Sequence, residues 1–258
     1  MTVDLHHEIA GPEDAPVLVL AGSLGTNLGM WDEQAEPLAE RFRVLRYDQR
    51  GHGRSPVPPG PYAIADLAGD LIALMDRLGI ERASFCGLSI GGMTGMWLGV
   101  HEPGRFERLV LCCTAPQLPP ASQWAERAAL VRAEGLGPVV DAGLERWFTP
   151  ALGESRPYVL ERFRAMMLAT PPEGYAACCE AIGSHDMREE VGAITAPTLV
   201  IGGDGDPVAP PETTRALAAA IPGATAVVLE EARHLANAEQ PDAFTHAVLQ
   251  HLTAQVST

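Results

Sequence analysis

The chain has 258 residues and is 47% hydrophobic, enough for one large α/β domain with an inserted subdomain and a sizeable core. Its formal charge of −15 excludes nucleic acid and anionic membranes as ready partners, because their phosphates would meet a repulsive field. Five cysteines (Cys86, Cys112, Cys113, Cys178 and Cys179) include two adjacent pairs and form a poor disulfide framework, and no zinc spacing, Walker loop or GxGxxG implies a metal or cofactor.

The first sixteen residues lack a basic start followed by an apolar run, and no segment reaches the roughly 18 apolar residues of a membrane span. A cytoplasmic protein is expected. In chain order, VLVLA (17–21) reads as a buried strand and leads into a glycine-rich loop, AGSLGTNLGMW. RVLRYD (43–48) is a second strand, followed by DQRGHGRS, where Arg50 and His52 are expected to shape the turn and support neighbouring loops. Residues 63–79 place Ile64, Leu67, Leu71, Leu74, Met75 and Leu78 on one helical face.

ASFCGL (83–88) is a third strand, and the sequence runs directly from it through Gly-Leu-Ser-Ile-Gly (87–91) into a helix. G-x-S-x-G in that strand–turn–helix context is a nucleophile elbow: small neighbours let strand and helix approach, and the serine hydroxyl is raised above the sheet edge. Ser89 is therefore the expected nucleophile. RLVLCC (108–113) is the next strand, and the loop after it contains no carboxylate.

From 119 to 188 the rhythm changes. No convincing strand occurs, and helical segments such as SQWAERAALVRAEG and YVLERFRAMMLA alternate with TPALGESRP and TPPEG, so this stretch is expected to be a helical cap inserted in a core of 1–118 and 189–258. PTLVIG (197–202) and TAVVLE (225–230) resume the strands. Their near-continuous apolarity fits a mostly parallel, doubly wound sheet covered on both faces, an α/β fold.

A serine nucleophile needs a base and an acid to orient it. His234, in the loop after the last strand, is the expected base, and Asp206, in GDGDPVAP after the strand before it, is the expected acid, giving the chain order Ser, Asp, His. Asp204 competes for the acid role but is read as shaping the turn. Developing negative charge on the substrate oxygen calls for two backbone donors. One is the N–H of Ile90, and the other lies in the AGSLGTNLGMW loop, with Ser23 expected and its neighbour Leu24 as the alternative.

VLVLAGSLGT, YDQRGHGRS, GLSIGG, VIGGDGDPVAP and HLANAEQPDAF resemble the α/β-hydrolase superfamily across the chain outside the cap. More narrowly, SLGTNLGMWDEQ, CGLSIGGMTGMWL, ERWFTP and YAACCEAIGSHDMRE resemble 3-oxoadipate enol-lactonases. The resemblance departs at Ala21-Gly22, where that family carries Asn before Ser-Leu-Gly-Thr, and at Gly183-Ser184-His185, where an arginine and an acid are more usual. It implies hydrolysis of a small anionic lactone, 3-oxoadipate enol-lactone, in bacterial breakdown of protocatechuate and catechol, with no cofactor. It also implies a pocket near Leu24 walled by Trp124 and Trp147. The lactone's carboxylate requires a cation, and the cap offers Arg127, Arg132, Arg146, Arg162, Arg164 and Arg188, of which Arg132 is the pocket residue expected here.

Overall fold

Side chains of a strand point alternately to the two faces of its sheet, so a strand buried at every position must be covered on both. Ala83–Leu88 and Thr198–Gly203 are of this kind. A computed structural model describes residues 1–118 and 120–254 of the chain and places these two runs in one seven-stranded sheet. In chain order the strands are β1 (His7–Ala10), β2 (Val17–Ala21), β3 (Arg43–Tyr47), β4 (Ala83–Leu88), β5 (Phe106–Cys112), β6 (Thr198–Gly203) and β7 (Thr225–Leu229). Their spatial order is β1-β3-β2-β4-β5-β6-β7, and every neighbouring pair is parallel except β1 with β3.

The strand order reverses beside β2, whose Leu18 to Ala21 pair with both β3 and β4. A crevice at the carboxyl ends of the strands forms at such a switch point. The helices that cover the sheet are α1 (Asp32–Ala39), α2 (Ile64–Arg77), α3 (Ile90–His101), α9 (Pro211–Ala220), α10 (Ala236–Glu239) and α11 (Pro241–Thr253). As the apolar periodicity implies, α2 buries Ile64, Leu67, Leu71, Leu74 and Met75, and Leu78 just beyond it is half-buried. The edge strand β1 was not foreseen. Its sequence, HEIA, is short and largely exposed, and it takes its register from β3 alone.

Five helices stand between β5 and β6: α4 (Ala121–Glu134), α5 (Gly137–Trp147), α6 (Pro150–Ser155), α7 (Pro157–Ala169) and α8 (Pro172–Ser184). The expected first residue of this insert, Pro119, lies outside the described residues, as do 255–258 at the end of the core. Two glycines set how closely the insert sits on the sheet domain. A Cβ on Gly51, whose φ is +77°, would stand 2.6 Å from the Gly174 Cα of α8, so the two backbones meet where no side chain fits. No described helix is long and apolar enough to cross a membrane.

Candidate active site

Ser89 is the single residue between β4 and α3 and has φ 59° and ψ −115°, a left-handed conformation that residues bearing a Cβ rarely adopt. Its surroundings hold it there. The Ser89 N–H donates to the Cys112 carbonyl at 2.9 Å, and Thr114 Oγ1 donates to the Ser89 carbonyl at 2.9 Å. The flanking glycines are required: a Cβ on Gly91 would stand 2.8 Å from the Gly22 carbonyl oxygen, and one on Gly87 would stand 2.6 Å from the Phe85 ring.

Loops at the ends of β6 and β7 bring the partners. Ser89 Oγ lies 2.9 Å from His234 Nε2, and His234 Nδ1 lies 2.9 Å from Asp206 Oδ2. With Nδ1–H donating to the carboxylate, Nε2 is left to accept the serine hydroxyl. The other Asp206 oxygen accepts the N–H groups of Val208 and Ala209 at 2.8 and 3.1 Å, which fixes the carboxylate plane. All three side chains are buried, at 5%, 3% and 2% exposure for Ser89, His234 and Asp206. Asp204 is exposed and accepts the Ala232 N–H at 3.2 Å, a turn-shaping role.

The base loop is tied to the insert. Leu235 N–H donates to the Trp147 carbonyl at 3.1 Å, while the buried Glu239 carboxylate accepts Arg233 N–H at 2.6 Å and both the N–H and hydroxyl of Thr149 at 2.5 Å. Glu239 carries no local sequence signal of this role. Its carboxylate belongs to the helix after His234, and only the folded chain shows that it bridges α6 to that loop.

A serine hydroxyl hydrogen-bonded to an imidazole that is itself aligned by a buried carboxylate is equipped for acyl transfer. Residues 16–241 match the model of the alpha/beta hydrolase fold family. The chain belongs to the α/β-hydrolase family. Among its relatives, 3-oxoadipate enol-lactonase 2 of Acinetobacter baylyi is 44% identical over 246 residues, which cover 95% of this chain and 92% of that one. The solved enol-lactonase from Burkholderia xenovorans superposes with a TM-score of 0.96 at 47% identity, covering 98% of this chain and 97% of the other. A thermophilic esterase from Thermogutta terrifontis, with malate bound, reaches 0.92 at 32% identity, covering 97% and 93%.

In this α/β hydrolase the cleft over Ser89 and His234 is lined by Ser23 and Leu24 from the loop after β2, by Trp124 and Arg127 of α4, by Arg146 and Trp147 of α5, and by Tyr175 of α8, among others. Leu24, Trp124 and Trp147 therefore sit at the expected pocket. Arg132 does not, and that expectation is corrected. Its guanidinium forks onto Glu173 of α8 at 2.8 and 3.0 Å and onto Glu180 at 2.5 and 2.9 Å, holding α4 against α8 away from the cleft.

Ser23 as the second backbone donor is also corrected. Its N–H points at Met30 Sδ, 3.1 Å away, and the next N–H but one, that of Gly25, donates to His52 Nε2 at 2.9 Å. Between them the Leu24 N–H has no partner among the described residues, and neither has the Ile90 N–H at the start of α3. Leu24 lines the cleft with Ser89, and Ile90 follows the serine in the chain. No group of three or more His, Cys, Asp or Glu among the described residues could hold a metal ion.

Proposed function

We propose that this α/β hydrolase opens 3-oxoadipate enol-lactone to 3-oxoadipate through an acyl-enzyme on Ser89. The observation that carries the reading is the hydrogen-bonded line from Ser89 Oγ through His234 to Asp206, with Ser89 and His234 lining the cleft. The likeness to enol-lactonases over nearly the whole chain supports an enol-lactone as substrate.

Ser89 Oγ attacks the lactone carbonyl carbon as its proton passes to His234 Nε2. The negative oxygen that forms accepts hydrogen bonds from Leu24 and Ile90 N–H, each such donor contributing about 3 kcal/mol to lowering the barrier. The bond from carbonyl carbon to ring oxygen then breaks, the leaving enol takes the proton from His234, and the enol becomes the ketone. An enol leaves more readily than an alkoxide. Water next gives a proton to His234 and attacks the acyl carbon, after which Ser89 leaves and recovers that proton. Asp206 keeps the ring oriented and stabilises its cation throughout.

The test follows ultraviolet absorbance of lactone generated in situ. Wild type should remove it far faster than it cleaves a neutral aryl ester, and Ser89→Ala should lower lactone turnover by about 10⁴-fold. The esterase likeness favours a second reading, a hydrolase of neutral esters. Ester cleavage with lactone loss no faster than the spontaneous rate would establish that reading instead.

A further inference from the structure

Seven arginines lie in the five-helix insert, and five of them, Arg132, Arg156, Arg162, Arg164 and Arg188, have a carboxylate within 4.0 Å. Arg127 and Arg146 have none among the described residues. Arginines outside the insert, such as Arg41 and Arg215, also lack one among the described residues, so what distinguishes Arg127 and Arg146 is their place at the cleft. Both line the cleft over Ser89 and His234, and both also line the outer cavity of about 210 Å³ that adjoins it, together with Leu118, Gln123, Trp124 and Val208. They therefore stand at the boundary between the two spaces.

We propose that Arg127 and Arg146 together form a carboxylate subsite that holds the acetate side chain of the lactone while its carbonyl rests at Ser89; this rests on the enol-lactonase reading above. The two guanidinia approach from different helices, α4 and α5, so a carboxylate between them can be gripped on both oxygens. The Arg127 guanidinium lies over the Trp124 ring, 5.1 Å from its centroid, which places Trp124 as a platform that keeps the cation at the cleft. Burial and the neighbouring Arg127 charge hold the Arg146 pKa below the usual arginine value, and Glu145 only partly offsets them. An anion seated between the two cations relieves that repulsion. The subsite selects substrates with a negative charge on the leaving-enol side of the scissile bond and discriminates against neutral esters.

Steady-state kinetics of Arg127→Gln, Arg146→Gln and the double variant test this, with Arg188→Gln, an exposed arginine paired with Asp186, as a control for charge alone. Each single variant should raise KM for the lactone by roughly ten- to a hundredfold and leave kcat/KM for a neutral aryl acetate within about twofold. Arg188→Gln should leave both unchanged. An unaltered lactone KM in the single variants, or an equal rise in Arg188→Gln, overturns the subsite. If wild type cleaves the aryl ester and not the lactone, the proposed function fails, and adipate inhibition of ester cleavage decides the subsite independently. Competitive inhibition that weakens about tenfold or more in the arginine variants supports it, and equal inhibition in all proteins overturns it.

Discussion

At Ser89 the backbone must turn from β4 into α3 within one residue while lifting a hydroxyl toward His234, and φ 59° with ψ −115° is the result. Holding a residue with a Cβ in that region costs about 1–3 kcal/mol, which neighbouring hydrogen bonds sustain. Ser89→Gly should relieve the strain. We expect its denaturant midpoint to rise, equivalent to about 1 kcal/mol, as lactone turnover disappears, and a fall in stability would show that the serine is not strained. Ser89, Asp206 and His234 were legible in the sequence because each follows a strand in a loop of distinctive composition. Arg127 was not separable from Arg132. Both belong to α4, and five residues of helix rotate one from the other by about 140°, so they face different neighbours. Only the position of Glu173 and Glu180 on α8 decides which of the two is neutralised. Ser23 and Leu24 were likewise separated by a side chain seven residues beyond Ser23, since the Met30 sulfur takes the Ser23 N–H.

The loop after β2 is set by two other segments. Met30, in the short turn before α1, accepts at its sulfur from Ser23 N–H and from the Thr26 hydroxyl at 3.0 Å, while His52, in the loop after β3, accepts Gly25 N–H. His52 is fully buried, and burial lowers its pKa to about 4 from the ordinary 6.5. Its Nε2 is thus an acceptor at neutral pH, and we assign His52 as a positioning residue for the Leu24 donor. His52→Phe should lower kcat by roughly tenfold with KM little changed, and His52→Gln, which restores an acceptor, should recover part of it. An equal loss in both variants, or a change in KM alone, would refute the assignment. Because the folded-state pKa is depressed, the stability contributed by neutral His52 is present above pH 6.5 and is lost as pH falls toward about 4. At this scale the apolar strands and the α2 face were readable from periodicity, whereas β1 was not. Four residues of mixed polarity form a strand only because the β3 edge is open to them.

Across the whole molecule the five-helix insert and the sheet domain share one site. The sheet supplies hydroxyl, imidazole and carboxylate at its carboxyl edge, and the insert closes over them with Trp124, Arg127, Arg146 and Trp147. The Leu235–Trp147 and Glu239–Thr149 hydrogen bonds fix the two parts to each other beside His234. The chain has no lysine, and all 18 basic residues are arginine. The change from alternating strands and helices to helices alone marked in the sequence the stretch that forms five helices between β5 and β6, but the packing of their faces depends on contacts between distant residues that no local pattern encodes. In the proposed mechanism the lactone carbonyl carbon becomes covalently attached to Ser89. Rapid-quench mass spectrometry of a single turnover tests it most directly. A transient mass increase of one lactone is expected on the peptide containing Ser89, absent in Ser89→Ala. Lactone consumed at the full rate with no adduct, and with turnover preserved in Ser89→Ala, would contradict it.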